Sequence, residues 1–246
     1  MDFGTVAVMS VNISATLSDL VIEDPRRARV LEKFGLDYCC HGQRPLGEAA
    51  DEAGVDVAAV SAALDLAEAL PAAAAGPADN AALAHDIVDT HHAYLWAEMP
   101  RLQALVDKVT TVHGVRHPEL ADVQATFEQA VAGLEPHMTR EERVVFPAIS
   151  RVEKTRSPAP AGSLTEPIAE LRAEHDAIGE LFKRIRSTTH GYEVPADACN
   201  SYRAMLTGLE EMELDLHEHI HKENNILFPH VVDMERDLVA TRPSLG

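Results

Sequence analysis

Beyond residue 80 apolar residues recur every three or four positions in four long stretches, and each stretch predicts a helix with one apolar seam. The first seam runs His85, Val88, His92, Leu95, Met99 and on to Val109; the second runs Leu120, Val123, Phe127 to Leu134, His137, Glu141, Val144 and Ala148. The third runs from Leu164 and Ile168 through His175 to Phe182 and Ile185. The fourth runs from Met205 and Leu209 through His219 and Glu223 to Ile226 and His230. Segments bearing Gly and Pro near residues 111–118, 151–163 and 187–197 separate the four. Four such helices on short connections predict an all-α antiparallel four-helix bundle over residues 81–237.

The stretch before the bundle reads differently. Residues 1–15 have the look of a loose tail, and Thr16 or Ser18 can cap a short helix. Asp24-Pro25 opens a second helix, which Gly35 closes as a left-handed cap. Pro45 starts a third, to about Ala53, and Asp56 caps a fourth that runs towards Leu70. A small helical domain over residues 16–70 follows, joined to the bundle by an Ala- and Pro-rich linker at 71–80.

The seams are apolar except at six central places: His92, His137, Glu141, His175, His219 and Glu223. Burying an unpaired imidazole or carboxylate costs several kcal/mol, so six together call for a shared partner. Two of the helices repeat one frame, His-x3-Glu-x4-Phe-Pro, at His137 to Pro147 and His219 to Pro229. A spacing of four places His and Glu on one helix face. His92 precedes His137 by 45 residues and His175 precedes His219 by 44, so the bundle reads as two helical hairpins about a pseudo-twofold axis. Among their neighbours, His91, His217 and His221 fall on mixed or solvated faces, and Glu142 and Glu174 lie off the seams as surface charges. His85 and His230 lie on the seams one or two turns from the centre, placed to cap it; Tyr94 and Tyr202 read as core packing.

Four imidazoles and two carboxylates without a thiolate suit Fe, Mn or Zn. Six side chains exceed one tetrahedral zinc. They fit two ions with the two Glu bridging and an oxo or hydroxo bridge when oxidised; a redox pair of this kind can meet O2, NO or peroxide.

Charge narrows the partners. The chain carries 21 basic and 40 acidic residues, a net charge of −19, which repels nucleic acid and anionic membrane surfaces. The start Met1-Asp2-Phe3 lacks the pattern of a secretory signal, no apolar run approaches a membrane span, and three cysteines make no disulfide framework, so the cytoplasm is the expected location. Cys39 and Cys40 are adjacent, with Cα atoms ~3.8 Å apart, so a bond between them would be strained and easily reduced. His41 and Arg44 nearby favour the thiolate, and the pair reads as either a redox or iron-handling dithiol or two small residues in a tight turn. Cys199 reads as structural.

Taken together, Leu36-Asp37-Tyr38-Cys39-Cys40-x-Gly42, then His137-Met138-x-x-Glu141-Glu142, Glu174-His175-Asp176 and His219-Ile220-x-x-Glu223-Asn224-Asn225-x-Leu227-Phe228-Pro229, resemble the RIC family. These are hemerythrin-like, di-iron "repair of iron centres" proteins of the YtfE/ScdA type, and the resemblance covers residues 16–235. It implies two iron ions (Fe2+/Fe3+) held by His92, His137, Glu141, His175, His219 and Glu223, with Cys39 and Cys40 as the functional thiols. It implies a cytoplasmic protein that repairs iron–sulfur clusters damaged by nitrosative or oxidative stress, with damaged iron–sulfur proteins as partners. Two other readings stand beside that one: an oxidoreductase acting on NO or peroxide, and an O2-, NO- or iron-binding sensor. His41, where Gly is expected in many members, and Pro136, expected to kink or widen its helix, depart from the pattern. A flanking domain of this kind is compatible with a homodimer.

Overall fold

In the computed structural model of the protein, residues 11–65, 79–157, 159 and 162–240 are described. The chain divides into two compact units, Met1–Gly76 and Pro77–Gly246.

The first unit holds four short helices, α1 (Leu17–Glu23), α2 (Arg27–Lys33), α3 (Leu46–Glu52) and α4 (Val57–Leu64). Thr16 caps α1 by accepting from the Asp19 amide, and Asp56 caps α4 through the Ala58 amide. Gly35, at φ +69°, closes α2 where Leu36 N–H returns to the Leu31 carbonyl, as a left-handed glycine cap requires. Pro25 lies ahead of α2 in a turn, not at its first position. Part of the expected tail is held: the Ile13 carbonyl accepts from Gly47 N–H and Thr16 pairs with Pro45. Leu17, Leu31, Leu46 and Leu64 form the buried interior. Of the expected linker, residues 71–78 lie outside the described residues, as does the end of the fourth helix beyond residue 65, and Asp79 already caps the next helix.

Four rods make the second unit. The first is α5 (Asn80–Ile87), a π turn (Val88–His92) and α6 (Ala93–His113). The second is α7 (Leu120–Arg140), a π turn (Glu141–Val145) and α8 (Phe146–Thr155). The third, α9 (Thr165–Thr188), is unbroken. The fourth is α10 (Asn200–His221), a π turn (Lys222–Leu227) and α11 (Phe228–Ala240). Each π turn closes on a backbone bond reaching five residues back: Ala93 to Val88, Phe146 to Glu141 and Phe228 to Glu223. In two rods Pro147 or Pro229 follows at once, and neither has an N–H for the carbonyl four residues back, so the opened ladder accommodates them.

The π turns also shift the seams. One extra residue rotates one side of the helix against the other by about 100°, and the expected seam slips by one position from the turn onward in the second and fourth rods and ahead of it in the first. Val144 is 60% exposed, and Val145, Ile149 and Val152 are buried instead. His230 is exposed, Ile226 is half-buried and Leu227 and Val231 take the core positions; His85 is exposed, and Ala84 and Ile87 are buried. His85 and His230 therefore do not cap the centre. Pro136 sits inside α7 without interrupting it, and the widening begins at Glu141, five residues past the expected place. In α9, which has no π turn, every expected seam residue from Ile168 to Ile185 is buried.

Two apolar clusters result. One, built around Leu102, Phe127, Phe182 and Leu209, fills the bundle towards the far ends of α6 and α10. Phe127 and Phe182 meet edge to face at 6.5 Å, a contact worth about 0.5–1.5 kcal/mol beyond its area. The other gathers Ile87, Phe146, Ile149, Leu171 and Phe228 at the opposite end. The six polar seam residues lie along the rods between the two.

α10 approaches α6 closely at Gly208, where an added Cβ would fall 2.5 Å from Leu102 Cδ2 and 3.2 Å from Arg101 Nη2. Helix propensity alone favours alanine over glycine by about 1 kcal/mol. Overpacking against the buried Leu102 costs about 1–3 kcal/mol and outweighs that gain. Gly208→Ala is therefore expected to lower the denaturation midpoint at unchanged slope; a stabilised variant would contradict the close packing.

Candidate metal centre

His137 and Glu141 stand one turn apart at the end of α7, and His219 and Glu223 do the same at the end of α10, which brings Nε2 within 3.3 Å and 3.1 Å of the carboxylates. His92, in the first π turn, and His175, midway along α9, face them from the other two rods. His92 Nε2 lies 3.2 Å from His219 Nε2, and His175 Nε2 lies 3.0 Å from His137 Nε2. Four donor atoms from His92, Glu141, His219 and Glu223 fall within 4.8 Å of one another, and so do four from His137, Glu141, His175 and Glu223. Both carboxylates belong to both sets. All six side chains are buried, with Glu141, Glu223 and His92 at 0% exposure.

Neither carboxylate is satisfied by hydrogen bonds. The imidazole nitrogens approach Glu141 and Glu223 at 3.0–3.4 Å without hydrogen-bond geometry, and all four carboxylate oxygens are left without a donor among the described residues. A buried carboxylate in that state is costly. Paired Nε2 atoms with carboxylate oxygens beside them, in two groups, supply what cations need, and this donor set fits a pair of first-row ions.

Electrostatics agree. Burial drives His175 towards its neutral form, yet the Glu223 and Glu141 carboxylates lift it above the ordinary histidine value. His92 is lifted in the same way against burial, chiefly by Glu141. Burial dominates at His219 and lowers it. Glu223 stays well below the usual carboxylate range despite its burial, held there by His219 and His175.

Behind the centre stand residues that the seams missed. Glu142 Oε1 lies 3.1 Å from His92 Nδ1, and Glu174 Oε2 lies 2.8 Å from His137 Nδ1, so neither is an idle surface charge. Asn224 Oδ1 lies 2.9 Å from His175 Nδ1. Each of these contacts holds the Nδ1–H and leaves Nε2 free for a metal. Glu142 also accepts from Trp96 Nε1 at 3.0 Å, and Arg140 Nη2 pairs with Glu174 at 2.7 Å. His91, expected on a mixed face, is buried, bonded to Asp215 at 2.8 Å and stacked on His219. His221 is buried too, not solvated. The signal was present in the repeat: the residue after each seam Glu, Glu142 or Asn224, anchors the lone His of the preceding rod.

In the first unit Cys39 is buried and Cys40 half-buried, both free thiols with sulfurs 3.9 Å apart. Asp37 Oδ1 accepts from the amides of Cys39 and Cys40 at 3.1 and 2.9 Å, and with the two sulfurs it forms a compact group of possible metal donors. The expected cationic activation is not found. His41 is paired with Asp37 at 2.7 Å and Arg44 with Glu52. The neighbouring Cys40 thiol and burial push Cys39 well above an ordinary thiol. Cys199 is exposed at the N-cap of α10, 3.2 Å from His113 Nε2.

Residues 83–231 match the family model described as the hemerythrin HHE cation-binding domain, and residues 13–68 match the ScdA_N model, a domain of unknown function. The chain is 32% identical over 218 residues to the iron–sulfur cluster repair protein YtfE of Yersinia pestis (strain Pestoides F), an alignment covering 87% of this chain and 95% of that one. The YtfE protein of Yersinia pseudotuberculosis serotype O:3 (strain YPIII) matches with the same identity and coverage.

The centre reads as a stability cost that a cation reverses. Glu141→Gln is expected to melt no lower than the parent without metal. With Fe(II) added anaerobically at about a thousand times the dissociation constant, the parent should gain about 4 kcal/mol and the variant far less. Thermal unfolding with and without the ion measures both, and an equal gain in the variant would remove Glu141 from the site.

Proposed function

Since the chain belongs to the family of the iron–sulfur cluster repair protein YtfE, we propose that it repairs iron–sulfur clusters damaged by nitrosative or oxidative stress. Its working parts are the thiol-bearing domain of residues 16–70, the linker 71–80 and the bundle of residues 81–237. The observation that carries the reading is the convergence of four imidazole Nε2 atoms on two buried carboxylates that have no hydrogen-bond donor.

His92, His137, Glu141, His175, His219 and Glu223 would hold two iron ions, Glu141 and Glu223 bridging, with an oxo or hydroxo bridge in the oxidised form. Iron there supplies one-electron chemistry towards NO, O2 or peroxide, and a store from which a damaged cluster can be rebuilt. The chain's own part is to hold that store without fixing it. Glu142, Glu174 and Asn224 keep the Nδ1 protons of three histidines, so those rings present Nε2. The apolar clusters above and below exclude water, which strengthens attraction between the carboxylates and a cation. Cys39, held as a protonated thiol beside Cys40, would bind a thiophilic iron at the client as its thiolate, its proton released to water.

Damaged iron–sulfur proteins are the partners in this reading and the cytoplasm its setting. No helix among the described residues is long and apolar enough to cross a membrane. The protein loaded with iron should restore activity to a hydratase whose [4Fe–4S] cluster has been treated with NO. A His137→Ala/Glu223→Ala variant should restore no more than an iron-free control, and Cys39→Ser/Cys40→Ser should slow recovery. Full recovery with the first variant would sink the role of the bundle site; unchanged recovery with the second would sink that of the thiols.

A further inference from the structure

The two halves of the bundle are alike in their six seam residues but not in what stands behind them. In the donor set of His137 and His175, one from each hairpin, both imidazoles are anchored. His137 Nδ1 meets Glu174, which Arg140 holds in turn at 2.7 Å, and His175 Nδ1 meets the side chain of Asn224, whose backbone carbonyl accepts from Arg172 Nη2 at 2.7 Å. The other pair is held less well. His92 Nδ1 reaches Glu142 at the longer distance of 3.1 Å, on an oxygen shared with the partly exposed Trp96. His219 Nδ1 is buried and has no hydrogen-bond partner among the described residues.

The repeat shows where that partner is missing. Glu174 directly precedes His175 and anchors His137, the histidine of the neighbouring second rod. The residue that directly precedes His92 is His91, so His91 is the counterpart placed to anchor His219. It does not. Its ring lies parallel to His219, 6° between planes and 5.6 Å between centroids, and its Nδ1 is engaged by Asp215 at 2.8 Å. Stacking fixes the plane of the His219 ring but accepts no proton from it. Glu141 and Glu223 serve both donor sets alike, so the difference rests on the imidazoles.

We propose that the ion held by His92 and His219 is the one this protein gives up, while the ion held by His137 and His175 is retained. This rests on the two-ion reading above and assigns the labile iron to one side of it. Loss of a single partner behind a ligating histidine weakens metal affinity by about 10–100-fold. His91, Glu142, Glu174 and Asn224 are positioning residues here, acting on iron only through the rings they touch or fail to anchor.

Protein loaded anaerobically with two Fe(II) per chain is mixed with excess ferrous chelator, and the coloured complex is followed in time. Two phases of equal amplitude are expected, with rates about tenfold or more apart. Glu174→Ala or Asn224→Ala should speed the slow phase alone. His91→Gln gives His219 an amide acceptor of the kind Asn224 gives His175, and should slow the fast phase towards the slow one. A general loosening of the fold would speed both phases together and could not produce the slowing. Two irons leaving the parent in a single phase would overturn the proposal and leave the two-ion reading intact. So would His91→Gln without effect on the fast phase. Fewer than two irons loaded would overturn both.

Discussion

Two carboxylates and four imidazoles are buried in the middle of an otherwise apolar bundle, and the rest of the second unit is arranged around that cost. An ionised carboxylate taken out of water loses several kcal/mol unless a counter-charge replaces the solvent. Here histidines surround Glu141 and Glu223 without giving either a full hydrogen bond. The apolar clusters on both sides compensate in stability, and they also keep the charges from relaxing towards water. A bundle built for stability alone would continue Leu and Phe through this layer. That it does not is the physical case for a cation.

Much of this was legible in the sequence, because a helix of fixed period reports its own buried face. Every expected seam residue of α9 is buried, and the six polar positions were picked out by the same period. The readings fail past the π turns, where one added residue rotates the helix. Val144, His230 and His85 were expected inside and lie outside. Each lies within, after or ahead of a π turn that no single-residue propensity announces, although the Phe-Pro pairs after two of them are consistent with an opened ladder.

Glu142, Glu174 and Asn224 were hidden for a different reason. A seam analysis asks what lies on one face of one helix, and these three act across helices: Glu142 from the second rod on His92 in the first, Asn224 from the fourth on His175 in the third. For Glu142 and Asn224 only the repeat marks the place, each directly after a seam Glu. In the first unit, charge near the thiols misled as well. His41 and Arg44 are close to Cys39 along the chain, but Asp37 and Glu52 engage them first. Proximity in sequence gave the right residues there and the wrong proton balance.

Trp96 is the sole tryptophan of the chain, and its indole N–H donates to the carboxylate that also holds His92. The protein therefore carries one fluorophore wired by a single side chain to the centre. Intrinsic emission excited at the indole has no second source to dilute it. On the two-ion reading, a paramagnetic, light-absorbing ion that fills or leaves the His92 side would change the quenching of that indole. The occupancy of the bundle is thus written into a spectrum that needs no added label.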